Sequence, residues 1–277
     1  MIPEFIIKKK ILEYLEEDLY YGDVTCVEGR NVVANIISKD DGVIAGVKVA
    51  KIAFESFGIE VFSSIKDGDL VSKGDVVMRV KGNSKDILML ERTVLNILMR
   101  MSGIATVTAE MVEKARNVNS NVKIAATRKT TPGFRIFEKM AVEIGGGDAH
   151  RFGLGDCVMV KDNHIAVVGD LVKAIRLAKS ASFTKKIEVE VRSVEEALIA
   201  AKEGVDVIML DNFKPWEIEK VITLLEKEGV RKKVLLEVSG GITPENVKEY
   251  AKTGVDVIST GYITHSAKAL DLSLIIT

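Results

Sequence analysis

The chain has 277 residues, of which 47% are hydrophobic and 29% charged, and its formal net charge is −1. This composition predicts a protein that buries a substantial core in one large or two smaller domains, and it excludes a general electrostatic attraction to nucleic acid. No apolar run is long enough to span a membrane, and the start MIPEFIIKKK lacks the apolar core of a signal peptide. We therefore expect a cytoplasmic protein in which Cys26 and Cys157 are reduced thiols.

The first third of the chain predicts a small sheet domain followed by a helical connector. Residues 4–19 have the periodicity of an amphipathic helix. Between residues 32 and 80, short β-branched runs alternate with Gly-Asp turns around one helical stretch, KVAKIAFESFG. Residues 87–116 are helical in pattern, with Ser102-Gly103 as the expected break in two helices or one bent one.

The rest of the chain predicts a parallel sheet. Six short apolar runs, separated mostly by helical segments, read KIAAT, CVMV, IEVEV, DVIML, VLLEV and DVIST. Such alternation is typical of an α/β barrel, and six strands predict a barrel that is incomplete or recruits a seventh strand. The last residues, AKALDLSLIIT, are expected to form a strand that returns to the first domain.

Cationic side chains follow two of these runs. Arg128 and Lys129 come directly after KIAAT, and Lys161 follows CVMV. A glycine-rich stretch, GGGDAHR, delivers His150 and Arg151 between them. Arginine and lysine bind carboxylates and phosphates, so these residues predict an anion site, although a solvated turn or a mobile loop would have the same composition. Lys161 could alternatively be a Schiff-base nucleophile.

Carboxylates and glycine turns follow the other runs. Glu190 and Asp211 lie on successive strands and could hold Mg²⁺, bind sugar hydroxyls, stabilise a cationic transition state or form ion pairs with the lysines. Glu188 is a weaker candidate. The turns SGGI and TGYI, which begin near Ser239 and Gly261, have the composition of the phosphate site of α/β barrels. Arg92, beside Glu91, would by itself be a helix-surface residue.

Taken in order, ERTVLNILMRMSGIAT, TRKTTPG, GGGDAHRFGL, VKDNHI, MLDNF, EVSGGI and STGYITHS resemble the quinolinate phosphoribosyltransferase family over nearly the whole chain. The resemblance implies an N-terminal α/β sandwich domain at residues 1–103, joined by residues 266–277, and an incomplete parallel α/β barrel at residues 104–265. It implies the reaction of quinolinate with phosphoribosyl pyrophosphate to give nicotinate mononucleotide, pyrophosphate and CO₂, with Mg²⁺, in NAD biosynthesis.

The resemblance also assigns roles to individual residues. Arg128, His150, Arg151 and Lys161 would hold the quinolinate carboxylates, and Thr127 and Lys129 would complete the substrate site. Glu190 and Asp211 would bind the ribose hydroxyls and Mg²⁺, directly or through the donor. Ser239, Gly240, Gly241 and Gly261 would hold the 5-phosphate. Lys129, Lys161, Glu190 and Asp211 would be the catalytic residues.

The family is typically dimeric, so Arg92 is expected to complete the partner's site, and assembly into hexamers is left open. Partners other than small-molecule substrates, such as nucleic acid or membranes, are not expected. The rival functions are a paralogue with the same scaffold, such as a molybdenum-transport-associated protein or a nicotinate-specific transferase, a Schiff-base aldolase that uses Lys161, and a carrier module built on residues 32–80.

Overall fold

The structure, a computed structural model, describes residues 2–24 and 28–277. The chain folds into two compact units. The first contains Met1–Val107, Ile136–Gly145 and Ala267–Thr277, and the second contains Thr108–Arg135 and Gly146–Ser266. Cys26 lies outside the described residues, and Cys157 is a free thiol.

The first unit is built on a four-stranded antiparallel sheet in the order β12-β1-β5-β3. Its strands are β1 (Asn31–Ser38), β3 (Glu60–Ser64), β5 (Val76–Asn83) and β12 (Leu272–Ile276). The short strands β2 (Gly42–Val43) and β4 (Leu70–Val71) pair separately. In β12, Leu274 lies opposite Ile36 of β1, which confirms that the end of the chain returns to this unit.

Helices complete the first unit. They are α1 (Glu4–Leu19), α2 (Val47–Ser56), the first part of α3 (Ser84–Arg116) and nearly all of α4 (Arg135–Ile144). The division expected from the sequence put α4 with the barrel, but the structure groups its residues 136–145 with the first unit. The reason is visible in its contacts, because buried Glu138 accepts hydrogen bonds from Arg100 and the ring of Phe137 contacts Tyr14.

The expected break at Ser102-Gly103 does not occur, because α3 is one continuous helix of 33 residues. Ser102 is fully buried, and its hydroxyl accepts from the N–H of Ala45 and donates to the carbonyl of the same residue. A β-carbon built on Gly103 would overlap the carbonyl oxygen of Lys268. Ser102 and Gly103 therefore let the backbone at Ala45 and at Lys268 pack closely against α3. Small residues at such a position resemble a helix break in the sequence.

The second unit is built on a six-stranded parallel sheet in the order β6-β11-β10-β9-β8-β7. The strands are β6 (Lys123–Ala126), β7 (Val158–Val160), β8 (Ile187–Val191), β9 (Val207–Asp211), β10 (Leu235–Ser239) and β11 (Val257–Thr260). The six predicted strands are thus confirmed. The sheet does not close between β6 and β7, and among the described residues only the bridge of Ala125 to Asp148 extends it there.

The remaining helices connect these strands. They are α5 (Asp162–Val168), α6 (Leu171–Ala181), α7 (Val194–Lys202), α8 (Pro215–Lys227), α9 (Val247–Lys252) and α10 (Tyr262–His265). Ser193 caps α7, because its hydroxyl accepts from the N–H of Glu196. The protein therefore has the predicted N-terminal α/β sandwich and incomplete parallel barrel. None of the described helices meets the length and hydropathy needed to cross a bilayer.

The close approach at Gly103 predicts the effect of Gly103→Ala. Alanine normally favours a helix over glycine, but here its β-carbon must displace a backbone carbonyl. We expect the free energy of unfolding to fall by about 3 kcal/mol or more, measured by chemical denaturation. Glu113→Ala, at an exposed position of the same helix, is the control and should stay within about 0.5 kcal/mol of the parent.

Candidate active site

A cavity of about 340 Å³ opens at the carboxyl ends of the parallel strands. Asp211 and Ser239, the last residues of β9 and β10, line it and are partners in the sheet register. Nine of the predicted site residues line this one cavity: Thr127, Arg128, Lys129, His150, Arg151, Lys161, Glu190, Asp211 and Ser239. The sheet therefore brings together residues that span more than a hundred positions of sequence.

Arg128 is the cation best prepared for a ligand. Its Nε atom is buried and makes no hydrogen bond. The turn that carries it is held locally, because the N–H of Lys129 donates to the hydroxyl of Thr127 and the N–H of Thr130 donates to the carbonyl of Arg128. Leaving a buried guanidinium N–H unpaired costs free energy that an anionic ligand would recover.

The loop after the three glycines is fixed by two aspartates. Asp148 accepts a hydrogen bond from the N–H of His150 at 2.7 Å, and His150 has the left-handed φ of 52°. Asp156 accepts from the N–H groups of Phe152 and Gly153, each at 2.7 Å, and these two bonds hold the pKa of Asp156 below its usual value. The loop that presents Arg151 is thus ordered by its own side chains.

Arg135 connects this loop to the turn that carries Arg128. Its Nε donates to the hydroxyl of Thr130 at 2.8 Å, and its Nη1 donates to the carbonyl of Phe152 at 3.1 Å. Arg135 was not predicted as a site residue. Its position five residues beyond Thr130 does not indicate that its side chain also reaches the loop of Phe152.

The acidic side of the cavity contains Glu190 and Asp211. Glu190 is 9% exposed, and its Oε2 lies 2.5 Å from the Nζ of Lys161. Both the ion pair and the sugar- or metal-binding role had been predicted for Glu190, and the structure shows the ion pair. The Nζ of Lys161 is thus already engaged by a carboxylate, a partner that a Schiff-base nucleophile would have to leave before attacking a carbonyl.

The two glycine turns lie next to these residues. Gly240 and Gly241 have φ values of 107° and 62°, and a β-carbon on Gly240 would overlap the amide oxygen of Asn212. A β-carbon on Gly261 would lie 2.9 Å from Cδ of Lys129 and 2.8 Å from Cδ2 of His265. Gly240 therefore needs to be glycine for its φ and its close neighbour, whereas a β-carbon at Gly261 would require the side chains of Lys129 and His265 to shift.

Comparison with known proteins identifies the family. Residues 104–275 match the quinolinate phosphoribosyl transferase C-terminal domain, and residues 18–102 match the N-terminal domain of the same family. The chain belongs to the quinolinate phosphoribosyl transferase family.

Relatives agree with this family assignment. A protein of Archaeoglobus fulgidus named probable nicotinate-nucleotide pyrophosphorylase (carboxylating) is 61% identical, over 92% of this chain and 98% of its own. One of Methanothermobacter thermautotrophicus with the same name is 50% identical, over 95% and 96%. The solved structure of the nicotinate-nucleotide pyrophosphorylase from Francisella tularensis superposes with a TM-score of 0.92 at 37% identity, covering 100% of this chain and 98% of that one.

One member of the predicted site lies elsewhere in this family fold. Arg92 is an exposed residue of α3 within the first unit, whereas the cavity is formed by the second. Its expected role in a partner's site stays a prediction.

Two buried carboxylates lie beneath the cavity, of which Glu188 was a weaker candidate in the sequence and Glu237 was not predicted. Glu237 accepts a hydrogen bond from Nε2 of His150 at 3.0 Å, and Glu188 lies 3.6 Å from the same atom. Burial and the nearby charge of Glu237 raise the pKa of Glu188 to about 7. Each glutamate precedes a site residue by two positions, Glu190 or Ser239, so the period of two in a strand was the available signal.

Cys157 and His265 are two further neighbours of the site. Burial and the nearby Glu188 raise the pKa of the Cys157 thiol to about 11, so this thiol is inert at neutral pH. His265 is in α10 beside Gly261 and Lys129. It was not predicted as a neighbour of the site, although it lies four residues beyond Gly261.

The turn at Gly240 predicts a loss of stability in Gly240→Ala. Alanine there must adopt φ near 107° and displace Asn212, so we expect the free energy of unfolding to fall by about 3 kcal/mol. Gly229→Ala is the control, since Gly229 also has a positive φ, of 70°, but has open space around it. It should cost only the backbone strain of about 1–2 kcal/mol. Equal losses in both variants, measured by denaturant titration, would contradict the steric explanation.

Proposed function

We propose that the protein transfers the phosphoribosyl group of 5-phosphoribosyl 1-pyrophosphate to quinolinate and releases pyrophosphate and CO₂, which gives nicotinate mononucleotide for NAD biosynthesis. The observation that carries the proposal is a single cavity that combines four or more cationic side chains with two carboxylates at the strand ends. Its relatives are named as carboxylating nicotinate-nucleotide pyrophosphorylases.

The cationic residues suit a pyridine dicarboxylate. Quinolinate brings two negative charges to a site that must also accept a pyrophosphate ester, so repulsion between the substrates has to be offset. Arg128, His150, Arg151 and Lys161 supply that charge from three separate segments of chain. The unpaired Nε of Arg128 would gain a carboxylate partner, and guanidinium groups bind carboxylates through two parallel hydrogen bonds.

The other side of the cavity suits the ribose donor. Glu190 and Asp211 line the cavity and would accept hydrogen bonds from ribose hydroxyls, and Ser239 with the turns at Gly240 and Gly261 would hold the 5-phosphate. Lys129 contacts both regions, because it lines the cavity and also packs against Gly261. Lys161 is paired with Glu190, so it would link the residues assigned to quinolinate with those assigned to the ribose donor.

The chemistry follows from this arrangement. The pyridine nitrogen attacks the anomeric carbon as the bond to pyrophosphate breaks, and Glu190 and Asp211 stabilise the positive charge that develops on the ribose. The ring nitrogen becomes cationic, so the bond to the 2-carboxylate can break with its electron pair left on the ring carbon, and a proton then replaces CO₂. The cations bind and orient the two anions until attack is possible.

The carboxylates also fit Mg²⁺. Mg²⁺ prefers oxygen ligands and usually binds through one or two carboxylates together with substrate phosphates, and Glu190 and Asp211 provide such oxygens in the same cavity. Magnesium would neutralise the pyrophosphate leaving group. We assign Glu190 and Asp211 to hold it, directly or through the donor.

We further propose a homodimer in which Arg92 of one copy completes the site of the other, with assembly beyond the dimer left open. The exposed position of Arg92 on α3 agrees with this role. The proposal also places the enzyme in the cytoplasm, where a thiol such as Cys157 stays reduced.

The decisive experiment combines the purified protein with quinolinate, phosphoribosyl pyrophosphate and Mg²⁺. We expect nicotinate mononucleotide and one CO₂ per turnover, detected with quinolinate labelled in the 2-carboxylate. Nicotinate in place of quinolinate is the control and should give little product. Product from nicotinate alone would favour a nicotinate-specific transferase, and a borohydride-trapped adduct at Lys161 would favour the aldolase.

Arg128, His150, Arg151 and Lys161 form what we call the cation cage. Substitutions in the cation cage should affect binding of quinolinate more than binding of the ribose donor. Arg151→Ala and Lys161→Ala should raise KM for quinolinate about 10- to 100-fold, because each removes a charged hydrogen-bonding partner, with a smaller effect on KM for the ribose donor. Ser239→Ala is the matched control and should raise KM for the donor instead. Steady-state kinetics with each substrate varied in turn checks this, and equal effects on both substrates in all three variants would count against the assignment.

The metal assignment predicts that EDTA abolishes turnover and that added Mg²⁺ restores it. Glu190→Gln and Asp211→Asn should each raise the Mg²⁺ concentration needed for half-maximal rate, because one anionic oxygen ligand is lost. A Mg²⁺ titration of the rate checks this prediction. An unchanged requirement in both variants would mean that the donor alone carries the metal.

A further inference from the structure

Beneath the cation cage, one histidine lies between two buried carboxylates that the proposed reaction does not use. His150 Nε2 is 3.0 Å from Oε2 of Glu237 and 3.6 Å from Oε2 of Glu188. His150 lines both the cavity at the carboxyl ends of the strands and a second cavity, of about 640 Å³, that reaches the amino ends. The imidazole, together with Arg151 and Glu237, therefore lies between the proposed quinolinate site and the barrel interior.

Burial of the two glutamates lowers the stability of the fold. Glu188 and Glu237 are 3% and 2% exposed, and one oxygen of each, Oε1, is buried without a hydrogen bond. The free energy lost when a carboxylate leaves water is seldom fully offset by the attraction of its ion-pair partner. Apolar replacements of buried ion pairs are therefore often neutral or stabilising. Stability therefore gives no reason for two acids at these positions, whereas a requirement of the neighbouring site does.

His150 needs outside support for its side chain. Its backbone has a left-handed φ of 52°, which is uncommon for a residue with a β-carbon, and its N–H is held by Asp148. The ring is held from the other side by the carboxylates. A carboxylate that accepts from Nε2 keeps the proton on that nitrogen and so selects the tautomer and orientation of the ring.

We infer that Glu237, supported by Glu188, is a positioning residue that fixes the imidazole of His150 for binding of the acceptor's carboxylates. The inference rests on the proposed function, because it gives His150 the role of a quinolinate ligand. Its consequence is specific: loss of the glutamate should weaken binding of quinolinate and leave binding of the ribose donor unaffected, because Glu237 lines the floor of the cavity against His150.

The kinetic test uses Glu237→Gln, which keeps the shape of the side chain and removes its charge. We expect KM for quinolinate to rise about 10-fold, with KM for phosphoribosyl pyrophosphate within about twofold. Glu237→Asp, which keeps the charge, should recover part of the loss. In a His150→Gln background, Glu237→Gln should have no further effect on KM for quinolinate, because interacting residues are not additive. Additive effects would overturn the inference.

A buried carboxylate elsewhere supplies the matched control. Glu138 is fully buried and paired with Arg100 in the first unit. Glu138→Gln should lower the melting temperature without changing KM for quinolinate. If it raised that KM as much as Glu237→Gln does, general loss of stability would explain both results and the positioning role would fall.

A spectroscopic test stands apart from activity. The chain has only three histidines, so the ring nitrogen signals of His150 can be assigned by comparison with His150→Gln in a ¹⁵N spectrum. We expect a protonated Nε2 in the unliganded parent protein and a changed signal in Glu237→Gln. The same signal in both would refute the inference. A protein that passes this test but makes no nicotinate mononucleotide would refute the proposed function alone.

The ligand atoms of His150, Glu188 and Glu237 lie within 4.8 Å of one another, a spacing that could also hold a cation. Metal content therefore distinguishes the positioning role from a metal site. Elemental analysis of the purified protein should find no stoichiometric transition metal. A bound metal that is lost in Glu188→Gln would replace the positioning role with a metal site.

Discussion

The site depends on one geometric constraint, which is that parallel strands end at a common edge. Each strand of the second unit ends within or next to the cavity, so a residue placed after any strand contributes to the same surface. Charges that would be scattered along an extended chain are thereby concentrated without any of them being adjacent in sequence. Concentrated positive charge is what two anionic substrates require if they are to meet.

This concentration creates a second problem, and the structure answers it with acids. Cations held together repel one another, and carboxylates on both sides of the cage offset that repulsion. Glu190 pairs with the partly exposed Lys161, and the more deeply buried Glu237 pairs with His150. These two pairs have different surroundings. Lys161 is partly exposed, so water weakens its ion pair, whereas Glu237 is buried and its carboxylate is shielded from water.

Much of the fold could be predicted from the sequence, because its elements obey local rules. The helix at residues 4–19, all six parallel strands and the cap at Ser193 depend on periodicity and on neighbouring residues. The grouping of α4 and the continuity of α3 could not be predicted, since they depend on contacts of Glu138 and Gly103 with distant segments. In the site, the residues that follow strands could be predicted. Glu188 was a weaker candidate and Glu237 was not predicted, because an acid within a strand resembles an interruption of an apolar run.

The interleaved order of the chain has a consequence for synthesis on the ribosome. The edge strand β12 consists of Leu272–Ile276, and it pairs with β1, whose residues are translated more than two hundred positions earlier. Until those residues have been synthesised, β1 is itself an edge strand of the N-terminal sheet, and β12 is added only after all six strands of the C-terminal sheet. During that interval the N–H and C=O groups along the outer side of β1 are free to pair with other chains, and afterwards it is β12 that occupies the edge position.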